Sequence, residues 1–131
     1  MVVRMDKVVH FEIPFDDKER ANKFYKDVFG WDILDIPEMN YVIVHTVEVD
    51  KNQMPKESGA INGGMYKRDN KSSNSPVIVI NVDNIDNYIK KIKNASGKVF
   101  REKMSVGDMG FYAQVYDTEG NIIGIWETIT K

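Results

Sequence analysis

The chain has 131 residues, with 42% hydrophobic and 29% charged, enough apolar side chains for a core and enough charge for a solvated surface. Its 18 basic and 20 acidic side chains give a formal charge of −2, and the lysines are dispersed among acids, which excludes the concentrated basic face of a nucleic-acid binder. There is no cysteine, which removes disulfides, thiolate catalysis and cysteine-type zinc sites.

No apolar run is long enough to span a membrane, and residues 1–6 contain no apolar stretch of signal-peptide length. A cytoplasmic protein without membrane or nucleic-acid partners is expected. Lys7 to Pro14 reads as a strand closed by proline. Asp16 is placed to cap a helix, with Glu19 as its capping-box partner. Ala21, Phe24, Tyr25, Val28 and Phe29 then follow at helical spacing as one apolar stripe, with Phe24, Tyr25 and Phe29 expected in the core, and Gly30 stops the helix. Trp31 to Ile36, Tyr41 to Val49 and Ala60 to Lys67 read as strands, with a polar loop from Asp50 to Ser58.

The segment DNKSSNSP, Asp69 to Pro76, reads as a linker, and the same grammar then repeats. Pro76 to Val82 is a β-branched strand, and Asp83 and Asn84 are cap candidates. Ile85, Tyr88, Ile89, Ile92 and Ala95 make a second helical stripe ended by Gly97. Lys98 to Lys103, Gly110 to Tyr116 and Asn121 to Thr128 are three more strands, the last two joined by the turn DTEG. The predicted fold is α+β: two tandem βαβββ modules, about 7–68 and 76–129 around a linker at 69–75, in one domain. A free sheet face curved into a shared cup, with the helices outside, follows from pleat alternation.

The stretches HFEIPFDDKERANKFYKDVFGW and INGGMYKR in the first half, with INVDNIDNYIKKIKNASGKV and YDTEGNIIGIWE in the second, resemble the vicinal oxygen chelate superfamily. That superfamily includes glyoxalase I, bleomycin-resistance proteins and extradiol dioxygenases, and the resemblance covers nearly all of the chain. It implies the paired-module fold, a homodimer and a site inside the cup. Metal-binding members take one ligand from the first and last strand of each module. The matching positions here are His10, Tyr66, Val79 and Glu127. A catalytic divalent site needs three protein ligands and an open position, and valine coordinates nothing. Glu12 shares a strand face with His10 and could supply the missing oxygen, as Asn81 likewise shares a face with Val79; His10, Glu12 and Glu127 are the set if a divalent metal is bound. The alternative for His10 is a polar anchor that holds no metal.

The remaining residues take structural readings. His45, the other of two histidines, reads as a surface or interface side chain. Trp126, one off in parity from Glu127, is expected to point under the helix. Gly63 and Gly64 precede no helix and so form no phosphate loop; a bulge or a close approach of a ligand to backbone explains them better. Two functions compete. The first is a small-molecule-binding protein without cofactor, whose degraded metal site holds His10 and Glu127 at one end of a wall made by Glu12, Tyr66, Val79, Asn81 and Ile125. The second is a metal-dependent lyase or isomerase of the glyoxalase kind. A metal-free acid–base pair of His10 and Glu127 is a third, with both residues as catalytic candidates.

Overall fold

The computed structural model describes residues 5–129; the expectation for residues 1–6 falls partly on 1–4, outside the described residues. Among the described residues eight strands and two α-helices run in the order β1 (Val8–Phe15), α1 (Lys18–Phe29), β2 (Asp32–Ile36), β3 (Tyr41–His45), β4 (Asn62–Lys67), β5 (Val77–Asn81), α2 (Ile85–Asn94), β6 (Lys98–Val106), β7 (Gly110–Tyr116) and β8 (Ile122–Thr128), with a short 3-10 turn at Pro37–Met39 between β2 and β3. This is the α+β class and the twice-repeated βαβββ pattern. The chain divides into two compact units: 10–76, and 77 onward together with the residues before 10.

In the unit 10–76 the strand order is β2-β3-β4-β1. β1 and β4 run parallel, pairing His10 with Asn62 through Phe15 with Lys67, while β3 is antiparallel to both β2 and β4. Alternation sends Phe11, Ile13, Phe15, Val42, Val44 and Met65 to one face, where Ala21 and Tyr25 of α1 cover them with Trp31 and Ile33. The helix begins one residue later than expected. Asp17, not Asp16, is the N-cap, its carboxylate accepting from the Arg20 N–H at 3.0 Å. Asp16 is drawn off by Arg68 Nη1 at 2.9 Å. Gly30 ends α1 at φ 71°, donating its N–H to the carbonyls of Lys26 and Tyr25.

The apolar stripe of α1 is wider than the sheet it covers. Phe24, Val28 and Phe29 are 53%, 58% and 58% exposed, so the expectation that Phe24 and Phe29 are core residues is corrected. Tyr25 occupies the inward position instead, stacked on Trp31 at 4.9 Å. Between β3 and β4 the chain closes a loop on itself. Asp50 Oδ1 accepts from the N–H groups of Asn52 and Met54, and the Lys56 N–H donates to the Glu48 carbonyl at 2.9 Å. Val49 is therefore a bridge partner of Pro55 and not the end of a long β3.

In the other unit the order is β5-β8-β7-β6, with β5 and β8 parallel and the remaining pairs antiparallel. Val82, Ile85, Ala113, Val115 and Ile125 form its core, with Ile80, Tyr88, Ile89, Ile92, Phe111 and Ile123 packed against them. α2 is capped by Asn84, whose side chain accepts from the Asn87 N–H at 2.9 Å. The left-handed residue after α2 is Ser96, at φ 74°, and not Gly97. Gly97 is needed for space: a Cβ there would lie 2.5 Å from the Ile92 side chain and 2.8 Å from the Tyr116 carbonyl. β6 extends to Val106, three residues past the predicted end, with register shifts against β7 around Arg101.

Candidate functional site

The face of the first unit turned away from α1 carries His10 and Glu12 from β1, Asn62, Gly64 and Tyr66 from β4, and Tyr41 and Ile43 from β3, by alternation from the core residues on the other face. Tyr41 pairs in register with Tyr66, one strand away from β1. Its ring nonetheless reaches β1 by passing over Gly64. His10 Nε2 stands 2.8 Å from the Tyr41 hydroxyl, and that hydroxyl donates to Glu12 Oε2 at 3.1 Å. All three groups are part-buried. Burial holds the His10 imidazole below its ordinary range by penalising the charged ring, while the Glu12 carboxylate pulls the other way.

The two adjacent glycines of β4 serve opposite faces. A Cβ on Gly64 would meet the Tyr41 ring at 2.0 to 2.3 Å, and one on Gly63 would meet the Phe11 carbonyl at 2.4 Å and its ring at 2.6 Å. There is no bulge at either position; the register runs unbroken from His10 to Phe15. The close approach that was expected of a ligand is made by the protein's own aromatic rings. Tyr41 was not legible as a site residue. The available signal was the glycine pair, which announces that something crosses the strand without naming it.

The second unit repeats the device with different chemistry. Tyr112 lies over Gly124, where a Cβ would sit 2.6 Å from its hydroxyl and 3.0 Å from a Val79 methyl. The hydroxyl accepts from Gln114 Nε2 at 3.0 Å. Val79 is buried on the face turned away from α2 and pairs in register with Gly124. Asn81 shares that face, and its backbone N–H donates to the Lys7 carbonyl at 2.9 Å.

Ile125 and Glu127 lie on the opposite face from the one expected. Ile125 is 3% exposed in the core beneath α2, so residues of its parity on β8 face the helix. Glu127, two positions on, therefore also faces α2, and its Oε1 accepts from the Ile85 N–H at 2.9 Å. That donor belongs to the first turn of the helix, where no intrahelical partner exists and a carboxylate also complements the dipole. Trp126 takes the other face, over Gly110, and its Nε1 donates to Thr128 Oγ1 at 2.9 Å. The parity was misassigned because Trp126 was taken as the core residue; the isoleucines at 123 and 125 fill that role. His45 has its Nδ1 3.5 Å from Asp32 Oδ2 on the neighbouring strand.

Two of the four positions matched to metal ligands cannot complete such a site: Val79 has no donor atom, and Glu127 faces α2. His10 Nε2 is engaged by Tyr41 and the Glu127 carboxylate by a backbone N–H. Among the described residues no group of three or more His, Asp or Glu side chains stands together as a metal cluster.

The Bleomycin resistance protein-like N-terminal family model matches residues 7–46. A glyoxylase-like domain-containing protein of Didymella fabae is 32% identical over 114 residues, 84% of this chain and 84% of that protein. Among solved structures, methylmalonyl-CoA epimerase from Mycobacterium tuberculosis shares the fold at TM-score 0.64 and 13% identity, covering 93% of this chain and 87% of its own. A glyoxalase/bleomycin resistance protein/dioxygenase superfamily member from Vibrio splendidus 12B01 does so at TM-score 0.63 and 13% identity, covering 95% and 100%. With the twice-repeated module, the family match over β1 to β3 and a relative alike over most of both chains, the protein belongs to the glyoxalase and bleomycin-resistance-like family of the vicinal oxygen chelate superfamily.

Proposed function

We propose that this protein binds a small, partly apolar organic molecule on the face that carries His10, Glu12 and Tyr41, without a metal cofactor. The observation that carries the reading is the hydrogen-bonded trio His10–Tyr41–Glu12, in which Tyr41 crosses a glycine to meet two polar groups of another strand. Beside Ile43 and Tyr66 it makes a mainly apolar wall with a few fixed polar groups, the usual composition of a small-molecule site. Part-buried polar groups held by one another are preorganised, so a ligand would not have to order them.

The glyoxalase-type lyase reading needs a Lewis acid and a carboxylate that moves a proton. Of the positions that the resemblance assigns to ligands, His10 and Glu127 are engaged in hydrogen bonds and Val79 lacks a donor atom, which favours the metal-free reading. Neighbours of the same fold are described with methylmalonyl-CoA and NH4+, and with 2-nitronate-propionyl-CoA, which makes acyl-CoA esters natural members of a ligand screen. A homodimer belongs to the proposal, supported by the exposed apolar face of α1.

A thermal-shift screen of small organic molecules, methylmalonyl-CoA among them, and of divalent ions tests the reading, because a ligand that binds the native state raises its apparent stability. At least one organic compound should raise Tm in the wild type and fail to do so in His10→Ala. Metal content of protein purified without chelator or affinity-column metal should be at background in both. Near one equivalent of zinc, nickel, iron or manganese in the wild type, lost in His10→Ala, would overturn it.

A further inference from the structure

The hydrogen of a phenol serves one acceptor at a time. Tyr41 stands against two groups able to accept it, Glu12 Oε2 at 3.1 Å and His10 Nε2 at 2.8 Å. A carboxylate only accepts, and a hydrogen bond to it is charge-assisted, so the phenol hydrogen goes to Glu12. The 2.8 Å approach to His10 then takes its hydrogen from the imidazole. A neutral ring carries one N–H, so a hydrogen on Nε2 leaves a bare lone pair on Nδ1. Burial favours that neutral ring.

The phenol has little freedom to choose otherwise. Gly64 holds the ring with no room for even a methyl group between it and β4. The ring thus bridges β3 to β1 over a fixed path. The repeat in the other unit shows that the crossing alone does not require an imidazole, since Tyr112 passes over Gly124 toward a valine. The imidazole and carboxylate that meet Tyr41 are additions specific to the first module.

We infer that Tyr41 is a positioning residue that locks His10 in the Nε2–H tautomer, so that the site offers Nδ1 as an acceptor and takes ligands that present a hydroxyl or N–H donor in preference to anions. The ligand preference rests on the binding function proposed above; the tautomer does not.

Nitrogen-15 NMR of the imidazole tests both parts separately. His45→Gln leaves His10 as the one histidine of the chain, which has two. Near neutral pH, long-range proton–nitrogen correlations should show Nε2 as the protonated, pyrrole-like nitrogen and Nδ1 as the pyridine-like one. The Nε2–H proton should be protected from exchange with water. In Tyr41→Phe on the same background the protection should be lost and the two nitrogen shifts should converge as the tautomers mix. A wild-type ring protonated on Nδ1, or evenly mixed, overturns the inference without any variant, as does a Tyr41→Phe protein whose imidazole signals are unchanged. For the ligand class, benzyl alcohol and benzoate share a skeleton and differ in donor and charge. The alcohol should shift the Nδ1 resonance more than benzoate at equal concentration. A larger response to benzoate, or none to either, overturns the donor preference. Failure of the thermal-shift screen removes the binding reading and leaves the tautomer result standing.

Discussion

The ring of Tyr41 lies across Gly64 so closely that a Cβ on that glycine would sit 2.0 Å from the phenol oxygen and 2.1 Å from the carbon that bears it. Gly64→Ala must therefore push the ring off its path or move β4. Overpacking of this kind costs about 1–3 kcal/mol, read as a lowered urea midpoint at unchanged slope. The ring movement should also separate Tyr41 from His10 and Glu12. A cost within the range of ordinary surface substitutions, about 0.5 kcal/mol or less, would show that the ring is not confined there.

Glu127 predicts a stability effect where a catalytic residue would predict loss of turnover. Glu127→Ala strips an acceptor from the Ile85 N–H and a negative charge from the start of α2, a loss comparable to removing an N-cap, about 0.5–2 kcal/mol. Glu127→Gln keeps an acceptor oxygen and should lose less. Thermal unfolding of the two variants beside the wild type gives the order; equal Tm values for all three would remove the helix-start role.

The pH dependence of stability carries the signature of His10. Its folded pKa lies below the ordinary value of 6.5 because burial disfavours the imidazolium. Well above 6.5 both folded and unfolded rings are neutral and the group contributes no pH slope. Below it the unfolded chain takes up the proton first, so stability falls as pH drops toward the folded pKa and then levels. Denaturation midpoints measured from pH 7.5 to 5 should fall more steeply for the wild type than for His10→Asn. Parallel curves would mean that the ring titrates alike in both states.

Phe24 and Phe29 are each more than half exposed on α1. If the homodimer covers them, Phe24→Asp with Phe29→Asp should convert a two-chain mass in light scattering at micromolar concentration to a one-chain mass. Helical content should stay that of the wild type, because neither ring is a core residue. A one-chain mass for the wild type ends the proposal.

The fold was legible because its signals are local. Periods of two and of 3.6 in side-chain polarity, a proline, capping aspartates and asparagines, and terminal glycines all act within a few residues of their cause. The strand Gly110–Tyr116 and the stop at Gly30 are where those rules put them. The errors came where two local answers were both allowed. Asp16 and Asp17 are adjacent and chemically alike as caps, and Asp16 is bound instead by an arginine 52 positions away. On β8, Ile125 and Trp126 both suit a core, and their order fixes the side of Glu127. On α1, helical spacing marks an apolar stripe but does not say how much of it the sheet is wide enough to cover.

The candidate site was half legible. His10 stood out as a histidine in a strand, and Glu12 followed from the pleat. Their link, Tyr41, lies 29 residues from Glu12 and 31 from His10. It is brought in by strand order and by an absent side chain at Gly64, and the glycine pair in that strand marks a close approach without naming what makes it.

The self-closed turn between β3 and β4 has a practical use. Residues 51–54 are exposed, and the hydrogen bonds of the loop run between its own members, from Asp50 to Asn52 and Met54 and from Lys56 back to Glu48. At its base, Asn62 Oδ1 accepts from the N–H groups of Thr46 and Val47, which seals the turn from the strands below. Foreign sequence spliced between Lys51 and Asn52 would strain only that small circuit, and loop lengthening is thermodynamically cheap. The turn is thus a natural attachment point for a fluorescent reporter or an immobilisation tag, leaving the wall of His10, Glu12 and Tyr41 with its native chain on every strand.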